Sequence, residues 1–208
     1  PADASWANIV AMDDLCRAIL DCSSNYVVAA MQGSAGAGGV FLALTSDRVL
    51  AREGVILNPH YKGMGNLYGS EYWTYLLPRR VAPAAARALM HDRLPVSAAR
   101  AAALGLVDAA FGADHAAFDA EVAARAHALA ARADFDRLLH ERNARRAADE
   151  ATKPLAAYRD EELARMKLNF YGFDPSYHVA RHAFVTKVPR SRTPLWLAKH
   201  RAQGKGTR

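Results

Sequence analysis

A short apolar run that passes into a glycine-rich turn constrains the fold more than any other feature. Residues 26–31 form an unbroken run with β-branched and small apolar side chains. Such a run is typical of a strand buried on both faces, as parallel strands are. Residues 33–39 contain four glycines, and the apolar, helix-like residues 40–46 follow. The order of strand, glycine turn and helix predicts an α/β fold with a functional turn at this point.

The glycine turn lacks the spacing of common nucleotide-binding motifs. A phosphate-binding loop needs a lysine directly after its last glycine, but here Gly38 is followed by Gly39. A dinucleotide-binding fingerprint that starts at Gly36 needs a small residue at position 41, which is Phe41. The consecutive backbone N–H groups of the turn can still point at a developing oxyanion, because no Cβ atoms cover them. The alternative is a turn that only lets a strand and a helix pack closely.

The rest of the chain divides into an α/β part and a helical part. The first part is predicted to contain two further strands, at residues 48–51 and 55–57. It is also predicted to contain four further helices, at residues 5–22 and 70–78, from Pro83 onward, and from the cap Ser97 to residue 104. From about residue 116 the pattern is wholly helical, with Ala- and Arg-rich stretches of high helix propensity. We therefore divide one domain into a core, residues 1–112, and a helical C-terminal region, residues 113–208.

Composition excludes disordered and membrane-spanning classes of protein. The chain has 51% hydrophobic and 23% charged residues, and its apolar stretches are shorter than the ~20 residues of a membrane-spanning helix. Two cysteines are too few for a disulfide framework, which indicates a reducing compartment, the cytoplasm. The net charge of +6 suits nucleic acid, an anionic membrane surface or a phosphorylated small ligand, and charge alone does not choose among them.

Two segments resemble the crotonase (enoyl-CoA hydratase/isomerase) superfamily. Residues 32–44 with Asp47 look like its strand, glycine turn and helix, and residues 94–108 look like its second signature. The resemblance implies a crotonase-like ββα spiral that acts on thioesters of coenzyme A. It also implies that the N–H group of Gly38 is one of two donors that form the oxyanion hole for the thioester carbonyl.

The departures from ordinary hydratases concern their two catalytic glutamates. Phe41 stands where the first is expected from the resemblance, and Tyr61 falls on the second by register. A benzyl group cannot move a proton, and a phenol with an ordinary pKa of ~10 is a poor general base at neutral pH but a usable acid or hydrogen-bond donor. These residues argue against addition of water to an enoyl-CoA.

A longer segment, residues 58–80, narrows the resemblance. It is similar to the C-terminal, crotonase-like domain of the HypX/HoxX family of hydrogenase maturation factors, whose active-site hallmark is a tyrosine followed ten residues later by a glutamate, matched here by Tyr61 and Glu71. In that family an N-terminal domain passes the formyl group of formyl-tetrahydrofolate to coenzyme A. The second domain releases CO, which becomes a ligand of the iron in [NiFe]-hydrogenase. The resemblance implies that the formyltransferase domain and the first strands of the spiral lie upstream of Pro1, so that the spiral is N-terminally truncated.

The hypothesis for the site follows from this resemblance. Glu71, enclosed by aromatic rings such as Tyr68, Tyr72 and Trp73, is expected to have a raised pKa and to take or relay a proton. Tyr61 is expected to orient the formyl group or protonate the leaving sulfur. A simpler alternative makes Glu71 an acid in the first turn of a helix, where it favours the helix dipole.

Basic residues near this segment are candidates for contacts to the CoA phosphates. These are Lys62, Arg79 and Arg80; the two arginines equally suit the terminal carbonyls of a helix. We expect no metal, because His178 and His182 lack a third ligand. The expected partners are the absent formyltransferase domain and the hydrogenase maturation machinery, with no nucleic acid and no membrane.

Two rival functions remain open. The first is another crotonase-type acyl-CoA enzyme, an isomerase or a thioester hydrolase. The second is a non-catalytic basic scaffold that binds nucleic acid or a partner through its Arg-rich helices. Salt-sensitive binding to DNA without binding to CoA would support this alternative.

Overall fold

The computed structural model describes residues 2–188; Pro1 and residues 189–208, the end of the predicted helical region, lie outside it. Over residues 2–188 the chain forms nine helices and six short strands. The helices are α1 (Ala2–Leu20), α2 (Gly38–Leu44), α3 (Trp73–Arg80), α4 (Pro83–Asp92), α5 (Ala98–Ala103), α6 (His115–Ala130), α7 (Phe135–Thr152), α8 (Leu155–Tyr171) and α9 (Ser176–Val185). The strands are β1 (Val28–Met31), β2 (Ala35–Gly36), β3 (Arg48–Arg52), β4 (Ile56–Asn58), β5 (Val96–Ser97) and β6 (Ala109–Phe111).

The strands form two small sheets. In one sheet β3 lies between β1 and β6 and is parallel to both, with Val28 opposite Arg48 and Leu50 opposite Ala109. In the other, β4 is parallel to β2 and antiparallel to β5. The predicted order of strand, glycine-rich segment and helix is confirmed, although the segment contains the two-residue strand β2 and α2 begins at Gly38 rather than at residue 40.

The first strand differs from its prediction in length and burial. It covers Val28–Met31 rather than residues 26–31, and Ala30 on it is exposed. Within residues 2–188, β1 is an edge strand that pairs with β3 alone. The strand that is buried through its centre is β3, at Val49, Leu50 and Ala51.

Helix α3 differs from its prediction at both ends. It begins at Trp73 rather than Ser70, because Glu71 and Tyr72 have left-handed backbone conformations, with φ of 60° and 58°. It also continues past Pro78 to Arg80. A proline inside a helix loses one backbone hydrogen bond and costs about 3 kcal/mol. Residues 75–77 are buried just before it, so their packing holds the helix together across the proline.

The helical region packs onto the core instead of standing apart from it. Helix α8 contacts both α1 and α3, and its buried side chains join the same apolar cluster as those of β3 and β4. The side chains that α8 buries in this cluster are Leu155, Met166 and Phe170. As a result α1 and α8 flank the turn that precedes α3. Within residues 2–188, no helix combines the length and apolar character needed to cross a membrane.

Candidate active site

The structure brings Tyr61 and Glu71 into direct contact in the interior. The Tyr61 hydroxyl lies 2.6 Å from Glu71 Oε2 and 2.8 Å from the carbonyl oxygen of Ser70. Only 5% of Tyr61 and 1% of Glu71 are exposed. A hydroxyl has one proton, so it donates to one of these two oxygens at a time. The pair is a hydrogen-bonded acid and phenol shielded from water.

Phe41 stacks on the Tyr61 ring. The ring centroids are 5.4 Å apart and the planes differ by 9°. The two positions that correspond by resemblance to the hydratase glutamates are therefore neighbours here, and they hold two aromatic rings in place of two carboxyl groups. Trp73 contacts Phe41 and Tyr68 in turn, and Tyr72 is buried. Aromatic rings therefore line the Phe41–Tyr61 side of the pair. That they enclose Glu71 stays a prediction.

Gly38, the first residue of α2, lies against the carboxyl group of Glu71. A Cβ atom at position 38 would stand 2.5 Å from Glu71 Oε1 and 3.0 Å from the terminal methyl of Met12. Only glycine therefore lets the backbone approach Glu71 this closely. Gly69 has the same role beside Tyr61, since a Cβ atom there would overlap the phenol ring and its φ is 101°. Because neither Gly38 nor Gly69 has a Cβ atom, the backbone can pass close to the Tyr61–Glu71 pair at both positions.

Two buried carboxylates hold the turn that carries Glu71. Asp13 Oδ1 on α1 accepts the backbone N–H of Glu71 at 2.8 Å. Glu162 on α8 accepts the N–H of Tyr72 at 2.9 Å and both the N–H and the hydroxyl of Thr74, at 2.8 and 2.5 Å. These bonds stabilise two consecutive non-glycine residues in the left-handed region, which is unfavourable without such support. Glu71 precedes α3, so the interpretation of it as a first-turn acid is wrong.

Asp13, Glu71 and Glu162 form a buried carboxyl cluster, named so from here on, in which each residue is at most 1% exposed. Burial raises the pKa of all three: Asp13 to about 6, Glu162 to about 8, and Glu71 above its ordinary value of 4.5. For Glu71 the Tyr61 hydrogen bond partly opposes this rise, and the charge of Asp13 adds to it. Burial, and then Glu71, raises the pKa of Tyr61. Asp13 and Glu162 therefore exchange protons close to neutral pH, and burial favours the protonated form of Glu71 as well.

The three basic candidates lie in two different places. Lys62 follows Tyr61 in the chain and is half-buried, and burial lowers its pKa. Arg79 and Arg80 lie at the far end of α3, about 9 to 10 Å along the helix axis from Trp73 at 1.5 Å per residue. Arg79 binds Asp149 through two bonds of 2.7 and 2.9 Å, and Arg80 binds Asp108 at 2.7 Å. Of the three, Lys62 is therefore the one beside the Tyr61–Glu71 pair.

The arginines belong to a larger surface, here called the arginine face. It lines a cavity of about 170 Å³, and its members are Arg79, Arg80, Arg142 and Arg146. Arg142 pairs with Asp47 at 3.2 Å and Arg146 with Glu150 at 2.6 Å. The Arg79–Asp149 and Arg142–Asp47 pairs link α7 to the core, whereas the Arg146–Glu150 pair lies within α7.

Sequence reasoning missed Asp13 and Glu162. Each stands on the apolar side of its helix, Asp13 in step with Cys16 and Leu20 and Glu162 with Leu155 and Met166. A carboxyl group at a core position of an amphipathic helix is the signal that could have identified them. In the described part of the chain no group of three or more metal-binding side chains has the arrangement of a metal site.

A comparison with protein families identifies the fold. The model of the enoyl-CoA hydratase/isomerase family matches residues 6–169. The chain belongs to this family. The crotonase-like spiral expected from the sequence is thereby confirmed, and an enoyl-CoA hydratase from Mycobacterium avium subsp. paratuberculosis has the same fold, with a TM-score of 0.75, 26% identity and coverage of 89% of this chain and 72% of that one.

Within the family, the expected similarity to HypX/HoxX proteins is also confirmed. The chain is 58% identical to the hydrogenase maturation factor HoxX of Bradyrhizobium diazoefficiens over 96% of its length. It is 49% identical to HypX from Aquifex aeolicus, solved in complex with tetrahydrofolic acid, with a TM-score of 0.90 over 97% of this chain. The chain spans 35% and 36% of the lengths of these two relatives.

Proposed function

We propose that this chain carries the CO-releasing step of hydrogenase maturation, in which formyl-CoA is split into CO and coenzyme A. The observation that supports this proposal best is the buried Tyr61–Glu71 contact of 2.6 Å beside Gly38. It unites the proton-handling groups that the reaction needs, at the place where hydratases of the family handle protons. The similarity to HoxX and HypX supports the biological role.

The reaction moves one proton and breaks one carbon–sulfur bond. Loss of the formyl proton to a base leaves an electron pair on carbon, and departure of the thiolate turns the remainder into CO. The thiolate then takes a proton and becomes the thiol of coenzyme A. Formyl thioester and products contain the same atoms and electrons, so no oxidant, reductant or water is consumed.

Tyr61 and Glu71 have different roles in this proposal. The Glu71 carboxylate takes the formyl proton, and its raised pKa makes it a stronger base than an exposed glutamate. The Tyr61 hydroxyl orients the formyl group or protonates the sulfur, and Glu71 then returns the proton to the phenol. The N–H group of Gly38 polarises the carbonyl oxygen. Phe41 keeps water away, which protects the thioester from hydrolysis.

Substrate delivery completes the proposal. We assign Lys62 to a contact with the CoA phosphates, whereas Arg79 and Arg80 would have to give up their ion pairs with Asp149 and Asp108 to serve there. The formyl group comes from formyl-tetrahydrofolate through an N-terminal formyltransferase domain, and the CO goes to the hydrogenase maturation machinery in the cytoplasm.

Product analysis tests the proposed function. The intact protein is incubated with formyl-CoA, CO is trapped with ferrous haem and measured by its absorption spectrum, and free thiol is measured in parallel. We expect CO and coenzyme A in equal amounts. Formate in place of CO would show a thioester hydrolase, and turnover of longer acyl-CoA thioesters without CO would show an isomerase; either result contradicts the proposal.

A further inference from the structure

Asp13 stands out among the side chains that the proposed reaction does not use. It is fully buried on α1, and its two carboxyl oxygens have different surroundings. Oδ1 accepts the backbone N–H of Glu71 at 2.8 Å. Oδ2 is buried and has no hydrogen-bond partner among the residues that the structure describes, and the nearest cation, Arg159 Nε, is 3.8 Å away.

A buried carboxylate whose one nearby cation is shared with Asp14 is an expensive way to hold one N–H group. An asparagine or a serine would accept the same bond at lower cost. Support of the turn alone therefore does not account for a charged residue at position 13. This charge acts on the carboxyl of Glu71, whose pKa it raises.

We propose that Asp13 is a positioning residue that holds Glu71 in its left-handed conformation and, through its negative charge, controls when the Glu71 carboxyl gives up its proton. This inference rests on the proposed role of Glu71 as a base. Asp13 acts on the backbone and the charge of Glu71 and has no contact with substrate in the proposal.

The other charged and titratable groups around Asp13 define its environment. They come from α1, α8 and the turn before α3, and they are Asp14, Cys16, Arg159, Glu162, Glu71 and Tyr72. Arg159 favours the charged form of Asp13, but it also binds the exposed Asp14 at 2.6 Å. Burial raises the pKa of the Cys16 thiol, and the three carboxyl groups add to the rise, so Cys16 stays neutral.

Coupled carboxyl groups titrate as a pair, which gives the proposal its test. The Glu71 side-chain carbon is observed by NMR in the intact protein labelled with ¹³C glutamate, and its signal is assigned by its absence from Glu71→Gln. In the wild type we expect two inflections, one of them near pH 6, where Asp13 loses its proton. In Asp13→Asn, which keeps an oxygen acceptor for the Glu71 N–H, one inflection remains.

The matched control is Asp14→Asn, because Asp14 is the exposed neighbour on the same helix. It should keep both inflections in the titration of Glu71. Asp13→Ala, which removes the acceptor as well, should lower kcat for CO release by on the order of tenfold relative to Asp13→Asn. A single inflection in the wild type, or identical Glu71 titrations in the wild type and Asp13→Asn, would overturn the proposal.

The titration separates this inference from the proposed function. It needs no turnover, so a protein without CO release can still show the coupling between Asp13 and Glu71, and in that case only the assignment of the reaction fails. Conversely, CO release with an uncoupled Glu71 keeps the reaction and rejects the role of Asp13.

Discussion

The two ends of helix α3 place carboxyl groups in opposite environments. At its N-terminal end the buried carboxyl cluster is sealed from water and has Arg159 as its nearest cation, so burial raises the pKa of each member. At its C-terminal end Asp149 meets the guanidinium of Arg79 near the surface, and this hydrogen bond lowers its pKa. The same chemical group can exchange protons near neutral pH at one end and stays ionised at the other.

Under the proposed function, the charged groups that suit catalysis lie at the N-terminal end of α3. The arginine face is conspicuous in the sequence, yet its charges are neutralised by partners in the same chain. The buried carboxyl cluster is hard to see in the sequence, yet its protons are the ones that a reaction at neutral pH could use. Each of the following variants disturbs one of these two regions.

The largest effect is expected from Gly38→Ala. The new methyl group would meet Glu71 Oε1 at 2.5 Å and displace the carboxyl from Tyr61. We expect CO release to fall by more than ~100-fold, the range seen when one oxyanion or proton-transfer group is lost. Gly39→Ala is the matched control, because its methyl group makes an ordinary 3.6 Å contact with Ala35. Equal losses in both variants would show that the site depends on the glycine turn as a whole.

A smaller loss is expected from Tyr61→Phe. This change keeps the ring that stacks on Phe41 but removes the hydroxyl that donates to Glu71. We expect kcat to fall by about 10- to 100-fold. The lost hydrogen bond had lowered the pKa of Glu71, so the rising limb of the pH–rate profile should move to higher pH. A shift to lower pH would contradict the assigned contact.

Glu162→Gln tests the buried cluster through stability. The folded-state pKa of about 8 exceeds the ordinary value of 4.5, so the folded protein binds more protons than the unfolded chain between these values. The contribution of Glu162 to the free energy of unfolding is therefore fully present below its pKa of 4.5 in the unfolded chain, and it is lost as the pH rises toward 8. We expect the decline in Tm from pH 5 to pH 8 to be at least ~2 °C smaller in the variant than in the wild type.

Glu161→Gln is the control for this change, because Glu161 is the exposed neighbour that binds Lys153. It should keep the wild-type dependence of Tm on pH. If Glu162→Gln keeps it too, Glu162 titrates like a surface carboxylate and the distinction between the two ends of α3 is lost.

The smallest effect is expected on the arginine face. Arg79→Gln breaks a partly exposed ion pair, and such pairs contribute about 0–1 kcal/mol. We expect the KM for formyl-CoA to change by less than about threefold, whereas Lys62→Gln should raise it more. A larger increase in KM in Arg79→Gln than in Lys62→Gln would indicate that the arginine face, and not Lys62, contacts formyl-CoA.

The sequence predicted the parts of the fold whose signals are local. The runs that form β3 and β4, the Ser97 cap and the proline at the start of α4 are readable from a few neighbouring residues, and Ser97 does accept the N–H of Arg100. The end of α3 was not predicted, because burial of residues 75–77 against other elements overrides the local effect of Pro78.

The candidate site was predictable only in part for the same reason. The spacing of Tyr61 and Glu71 indicated the pair through its resemblance to a family, and the structure places their side chains in contact. Asp13 and Asp14, like Glu161 and Glu162, are adjacent acids, and in each pair one member lies on the apolar side of its helix. The periodicity indicates which member is buried. That the buried members hold the backbone of the turn before α3 depends on how α1 and α8 pack against it, which a local pattern does not specify.

The most direct test of the central claim compares Glu71→Gln with Asp149→Asn in the intact protein, with CO release from formyl-CoA and CoA binding as the two measurements. If the buried pair carries the proton chemistry, Glu71→Gln reduces CO release by more than ~100-fold and keeps CoA binding, whereas Asp149→Asn retains both. Undiminished CO release in Glu71→Gln would contradict the account.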